Sequence, residues 1–502
     1  LKKLTFVFWV ALGILLFFLV VGVFTPQTFE NVTAELRGMI STSLGWYYLL
    51  VVTGFVGVCA FIIVSPYGKI KLGKPDSKPD YNYLTWFAML FSAGMGIGLV
   101  FWGAAEPISH YMVDAPIADS GSSDAILEAM RYSFFHWGIH AWGIYAVVAM
   151  SLAYFKFRHD APGLISGTLT PVLGKYAKGP VGHTVDIIAV IATVVGVSST
   201  LGFGAVQING GLDFLLGVGI NFQMQFFIIV AVTVLFLISA YTGLNRGIKI
   251  LSNVNLILAV TLFTFLFIFG PTLFNLNLLT ETFGMYVQQL PSMSFRIAPF
   301  DEDERAWIDG WTIFYWAWWI SWAPFVGSFI ARVSKGRTLR EFVLGVLLVP
   351  SILSFFWFAV LGGSGIFLEQ EGIAAISELA AEAALFGVLD HYPLGGLMSV
   401  IAITLIVTFF ITSADSGTFI LGMQTTNGSL TPPKTVKIIW GLMLSTTASI
   451  LLYSGGLQGL ENAMIITALP FSVIMILMTY SLIKSLQIEK TALRAQDSKK
   501  RS

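Results

Sequence analysis

Between Trp311 and Phe325 the chain reads WTIFYWAWWISWAPF, which places five tryptophans within twelve residues. The chemistry open to so many indoles is that of the aromatic face. An indole face carries negative quadrupole potential, and several faces around one cavity hold a quaternary ammonium. That cation donates no hydrogen bond, so ring faces give it more geometric specificity than carboxylates do. Tyr315, Trp319 and Trp322 recur at i, i+4 and i+7 and so share one face of a helix. The competing reading is a packing surface or an interfacial belt. A belt, however, uses one or two aromatics at each end of a span, and this cluster runs into the middle of one. Trp137, Trp142 and Tyr145 form a second aromatic group. Tyr145 follows Trp137 by eight residues, about 80° round a helix, so both can flank one cavity.

Three other patterns carry possible chemistry. GMGIG at 94–98 sets Gly94, Gly96 and Gly98 in alternation inside an apolar run. Glycine there either breaks a helix or lets two helices pack closely. It lacks the lysine and the Ser/Thr of a phosphate loop and lies inside a span rather than after a strand, so nucleotide binding is excluded. ITSADSG at 411–417 offers Thr412, Ser413, Asp415 and Ser416. Their oxygens suit a hard cation, or the hydroxyls bond back to their own helix while Asp415 pairs near a surface. Thr193, Ser198, Ser199 and Thr200 repeat that pattern more weakly. His136 and His140 stand at i, i+4 without an HExxH frame, which favours structural hydrogen bonding over a metal. No serine lies in a GxSxG frame, so hydrolysis has no support.

The elements that must position these groups are membrane spans. Of 502 residues, 56% are hydrophobic and 11% charged, against a charged share of about 25% in soluble domains. Net charge is zero, which leaves no basic footprint for nucleic acid, and the single Cys59 excludes an internal disulfide. Apolar runs suggest about twelve spans of roughly 20 residues, near 4–24, 44–65, 85–103, 132–155, 184–203, 224–241, 250–271, 311–331, 342–363, 394–416, 435–453 and 463–484. The first is read as a retained helix rather than a cleaved signal. With this layout 24 of the 28 Lys and Arg fall on the side of the N-terminus, which puts both termini in the cytoplasm. The segment 373–386 reads as an amphipathic surface helix over an outer vestibule.

The third span is interrupted by GMGIG and the eighth by Pro324, five spans apart and entering from opposite sides. Spans 3–7 and 8–12 thus form two five-helix sets of opposite topology, each led by a broken helix. That is the sequence sign of an inverted-repeat secondary transporter with its substrate at the midplane. The expected fold is an all-α polytopic membrane protein with twelve spans. Its parts are two leading helices with a cytoplasmic loop (1–84), a first repeat (85–271), an extracellular loop with an amphipathic segment (272–310), a second repeat (311–484) and a cytoplasmic tail (485–502).

With these residues in view the chain resembles the betaine/choline/carnitine transporter (BCCT) family, and within it the sodium-coupled glycine betaine transporters of bacteria. The motifs are AGMGIGLVFWGAAEP at 93–107, FFHWGIHAW at 134–142, FYWAWWISWAPFVGSFIARVSKGRT at 314–338 and ITSADS at 411–416. The resemblance implies a LeuT-like five-plus-five core in spans 3–12, a homotrimer, and residence in the bacterial cytoplasmic membrane. It implies that Trp137, Trp142, Tyr145 and Trp319 box the trimethylammonium. Trp322 and the backbone of Met95, Gly96 and Gly98 would lie near the carboxylate, and Trp318 would line the path. It maps one sodium onto carbonyls of Ser92, Met95 and Phe409 with hydroxyls of Thr412 and Ser413. A second sodium would use Thr193 and the neighbourhood of Phe325, but Val197 stands where a further hydroxyl is expected. Sodium-independent exchangers of the family carry an arginine in the seventh span. Here no Lys or Arg lies between Lys249 and Arg296, and Leu256 is near that position. The implied function is sodium-driven import of glycine betaine as an osmolyte, with no enzymatic activity and no cofactor beyond Na⁺ as coupling ion. Proline betaine, carnitine and choline are the alternative substrates, choline being disfavoured because GMGIG holds no acidic residue. A betaine-gated channel or sensor is the alternative mechanism.

Overall fold

The computed structural model describes residues 4–94, 96–242 and 245–501, excluding the side chains of 91–94, 240–242, 245–249 and 492–501. Two leading helices, α1 (Phe6–Phe24) and α2 (Pro26–Val64), meet at Thr25 with Pro26 opening the second, where its missing N–H costs no bond. The next span is split into α3 (Tyr83–Gly94) and α4 (Ile97–Ile108). It is followed by α5 (Ser123–Trp137) and α6 (Ile139–Ala153), the short turns α7 (Ile165–Thr168) and α8 (Thr170–Leu173), then α9 (Pro180–Leu216), α10 (Phe222–Thr242) and α11 (Asn245–Phe269). Next come α12 (Thr272–Ser294), α13 (Glu302–Gly310), α14 (Thr312–Val333), α15 (Leu339–Gln370), α16 (Ala381–Asp390), α17 (Gly395–Gln424) and α18 (Lys434–Arg501). The described residues form no strand; one isolated antiparallel bridge joins Lys71 to Thr338.

Local chemistry sets many of the ends. Thr5, Ser122, Asp301 and Thr338 each accept a backbone N–H at the start of a helix, and Thr338 completes a capping box with Glu341. Gly217 ends α9 in the left-handed conformation at φ 66°.

Nine helical stretches among the described residues are long and apolar enough to cross a membrane, fewer than the twelve expected. The shortfall has visible causes. The third span is two 12-residue pieces. The eighth, α14, is rich in Trp and Tyr, which lowers its mean hydropathy. Two expected spans, 435–453 and 463–484, lie within α18, which folds at Gly456 (φ 57°, ψ −144°). Three expectations are corrected. α14 runs unbroken through Pro324, since a proline removes one helical N–H and a packed membrane helix absorbs that loss. The second helix begins at Pro26 rather than near 44. The surface helix expected over 373–386 is instead a 3-10 turn at Ile376–Glu378 followed by α16, whose residues Glu382 to Leu389 are all buried.

The two sets of five pack on each other reciprocally. α4, from the head of the first set, lies on α15, while α14, from the head of the second, lies on α6; α9 meets α17 between them. Within an apolar 18-residue segment of the stretch that contains α5 and α6, 94% of the residues are buried, against 28–33% in such segments of α1, α10 and α11. The outer helices turn rows of exposed apolar side chains outward, among them Phe17, Phe227, Ile238 and Ile257, as a lipid-facing shell does.

Polar contacts gather at two ends. At one, Leu72 and Arg337 pair through their backbones (2.8 Å), Arg158 donates to Gly73 O (2.7 Å) and to both oxygens of Glu489, and Lys74 meets Asp160 (2.5 Å). At the other, Arg305 donates to Ser41 O (2.7 Å), Arg296 pairs with Glu304 (2.9 Å), and Arg37 with Glu461 (3.6 Å).

Candidate functional site

Two interruptions bring the aromatic residues together. The first lies between α3 and α4, where Gly96 takes extended backbone angles (φ −158°, ψ −172°) and caps α4. The second, not foreseen from sequence, is Gly138, the single residue between α5 and α6. A Cβ at Gly138 would sit 2.4 Å from Phe134 O and 2.8 Å from the Tyr286 hydroxyl, so only glycine fits. The break ends α5 on Trp137 and starts α6 at Ile139, three residues before Trp142 and six before Tyr145.

Four rings then follow one another at near right angles. Trp137 and Trp319 have centroids 4.8 Å apart and planes at 72°; Trp319 and Tyr145 lie at 6.1 Å and 74°; Tyr145 and Trp142 at 5.5 Å and 78°. Successive rings meet edge to face along the series Trp137–Trp319–Tyr145–Trp142. All four are buried. Two of the indoles are anchored: Trp319 Nε1 donates to His136 O (2.9 Å) and Trp137 Nε1 to Glu106 Oε2 (2.8 Å). The Tyr145 hydroxyl is buried with no protein partner.

Trp318 stacks on Trp319 at 5.0 Å and 14°, with Phe203 on its other flank at 5.0 Å. It is enclosed, 1% exposed, with Nε1 3.3 Å from Thr200 Oγ1. Trp322 donates to Gly196 O (2.8 Å), and a Cβ on Gly96 would stand 3.8 Å from its ring. Gly98 faces Trp318 and Trp137, where a Cβ would come within 2.8 and 3.1 Å of ring carbons. The glycine motif therefore borders the aromatic cluster, and the first turn of α4 brings N–H groups without helical partners beside Trp322. Met95 lies outside the described residues, and Ser92 is described only as backbone of α3.

The oxygen-rich stretch on α17 is bonded to its surroundings. Thr412 Oγ1 lies 3.1 Å from Thr408 O and 3.2 Å from Phe409 O, and accepts from Asn255 Nδ2 of α11 at 3.0 Å. Asn255 Oδ1 is buried without a partner. Ser413 is half-buried in the same turn. The Phe409 carbonyl and the Thr412 hydroxyl thus share one spot, which leaves a hydroxyl lone pair and nearby oxygens for a hard cation. Thr193 Oγ1 bonds back to Ala189 O (2.7 Å), and Phe325 packs against Trp322 at 5.6 Å. Val197 reaches toward Gly417, where α9 meets α17. Asp415 is buried, with Oδ1 unpartnered.

His140 follows the structural reading: Nε2 bonds Ser294 Oγ (3.0 Å), and the ring stacks on Trp316. Though no HExxH frame surrounds it, His136 meets a carboxylate from another helix. Glu106 of α4, fully buried, places Oε1 2.8 Å from His136 Nδ1, with His110 Nε2 at 3.4 Å. These ligand-type atoms all lie within 4.8 Å. Both nitrogens of His136 are engaged, however, the second by Thr312 Oγ1 (3.0 Å), so the group is built as a hydrogen-bond network. Tyr315 completes it, its hydroxyl donating to Glu106 Oε2 at 2.5 Å. An ionisable residue inside an apolar run was the signal available for Glu106.

A family model described as BCCT, betaine/carnitine/choline family transporter, matches residues 6–491. The chain is 55% identical over 494 residues to the glycine betaine transporter OpuD of Bacillus subtilis (strain 168), covering 98% of this chain and 96% of that one. It is 43% identical to a glycine betaine transporter of Acinetobacter baylyi, over 97% of this chain and 74% of the relative. It is also 43% identical to an ectoine/hydroxyectoine transporter of Virgibacillus pantothenticus, over 96% of both chains.

Proposed function

This chain belongs to the betaine/carnitine/choline family of transporters, and from that premise we propose that it imports glycine betaine together with sodium. The observation that carries the substrate is the box Trp137–Trp319–Tyr145–Trp142, whose perpendicular walls offer π faces to a trimethylammonium. The name of the relative at 55% identity supports the same substrate. The substrate carboxylate lies toward Gly96, Gly98 and Trp322, where α4 begins and its unpaired N–H groups favour an anion.

Sodium is the second substrate. Thr412, Ser413 and the Phe409 carbonyl form its proposed seat on α17, with the carbonyls of Ser92 and Met95 as further proposed ligands. Thr193 and Phe325 mark a weaker second seat, where Val197 supplies no oxygen. Bound sodium stabilises the state that holds betaine, and the gradient then drives accumulation by alternating access between the two five-helix sets. Residence in the bacterial cytoplasmic membrane with both termini inside, an osmoprotective role and assembly as a homotrimer belong to the same proposal.

Purified protein in proteoliposomes tests it. Labelled glycine betaine is expected to accumulate under an inward sodium gradient, and to show counterflow from preloaded vesicles. Proline betaine, carnitine, choline and ectoine compete in the same assay. A flux without counterflow points to a channel, and uptake indifferent to sodium removes the coupling. A competitor that outruns betaine replaces it as substrate.

A further inference from the structure

We propose that Glu106 is the counter-charge of the aromatic box, acting on the substrate cation through the rings of Trp137 and Tyr315. The inference rests on the betaine reading above and extends it to a residue outside the box. Glu106 sits within α4, fully buried, and no Lys or Arg among the described residues reaches it. A carboxylate so placed is costly unless hydrogen bonds and a nearby positive charge offset its desolvation.

The hydrogen bonds are present. Trp137 Nε1 (2.8 Å) and the Tyr315 hydroxyl (2.5 Å) donate to Oε2, and His136 Nδ1 (2.8 Å) to Oε1. Thr312 Oγ1 lies 3.0 Å from His136 Nε2 and donates to it when the ring is neutral with its proton on Nδ1. Trp137 and Tyr315 donate as neutral groups, so the carboxylate charge is offset only where the imidazole of His136, or of His110 with its Nε2 3.4 Å from Oε1, carries a proton. An ionised carboxylate accepts only, which is the role this arrangement gives it.

Two of the three donors are aromatic rings in contact with the box. Trp137 is a wall of it, and Tyr315 lies 5.5 Å from Trp137 and 5.8 Å from Trp319. A hydrogen bond to an anion polarises the donor and pushes electron density into its ring. The ring faces become more negative, and a cation against them is held more tightly. The charge itself adds an attraction across a dry interior, where screening is weak. Glu106 touches no substrate atom; it is a positioning and polarising residue.

The test separates charge from shape with two ligands of one outline, glycine betaine and its carbon isostere 3,3-dimethylbutanoate, which has the same carboxylate and no cation. Binding of labelled betaine and its competition by the isostere are measured on the full-length protein in detergent. Glu106→Gln keeps the side-chain size and is expected to weaken betaine about tenfold while moving the isostere less than about twofold. Equal losses for both ligands, or no loss for betaine, overturn the proposal. Should that variant fail to fold, Tyr315→Phe keeps the ring and the carboxylate but removes one polarised donor. It is expected to cost betaine alone about two- to fivefold, and an equal or absent effect overturns the proposal by the same logic. Wild-type protein that binds no betaine defeats the substrate reading instead, and this inference with it.

Discussion

At the scale of single residues, Trp319 joins two corners of the box, to Trp137 on one side and Tyr145 on the other. A desolvated cation–π contact contributes about 0.5–2 kcal/mol, so Trp319→Leu is expected to weaken betaine binding about 2- to 30-fold. Trp319→Phe should weaken it less, because a smaller face remains; equilibrium binding of labelled betaine reads both. The glycine motif gives an internal contrast. Ala at position 98 must displace Trp318 or Trp137, whereas Ala at position 96 meets Trp322 at ordinary contact distance. Gly98→Ala should therefore lower uptake about tenfold, in line with overpacking of a tight core, and Gly96→Ala far less. Similar effects from both would place neither glycine against the cage. The aromatic members of the site were legible because their density exceeds what packing or a belt needs. Glu106 was not, since its partners Trp137 and Tyr315 lie on other elements and only the fold brings three donors to one carboxylate.

Among the elements, helix breaks decide which faces meet. The sequence marks the third span correctly because alternating glycines weaken a helix wherever it packs. It overstates Pro324, whose single lost bond leaves α14 continuous, and it passes over Gly138, which looks like any small residue in an apolar run. Gly138 is nonetheless the more constrained position, with a backbone carbonyl at 2.4 Å from where a Cβ would be. Gly138→Ala is expected to abolish betaine binding or the folded yield, read by size-exclusion profile and ligand binding together; a variant that folds and binds normally would show that α5 and α6 adjust freely. The α17–α11 contact carries the sodium prediction. Thr412→Ala with Ser413→Ala should raise the sodium concentration for half-maximal uptake about fivefold or more while leaving sodium-free betaine binding little changed. Back-bonding to Thr408 and Phe409 alone predicts lost stability with an unaltered sodium curve.

For the whole molecule, the Lys- and Arg-bearing loops were readable from charge asymmetry alone, and the fold brings several of them to one end. There Arg158 forks onto Glu489 and Tyr154 adds its hydroxyl at 2.7 Å, tying the end of the fourth span to the far arm of α18. Both ion-pair side chains are mostly buried, at 11% and 14% exposed, so removing one partner leaves the other uncompensated. Glu489→Ala is expected to lower the apparent melting temperature by a few degrees without changing betaine affinity in binding assays. A melting curve that does not move would make the fork incidental. The uneven burial of the helices has a practical consequence for the bench. The helices that carry the aromatic rings are walled off, while only about a third of the residues in the apolar segments of α1, α10 and α11 are buried, and those helices take their solvation from whatever surrounds the protein. A micelle therefore replaces the environment of the shell and leaves that of the cage untouched. Ligand affinity should carry over between detergents of different chain length, whereas shelf life and heat tolerance should follow the detergent.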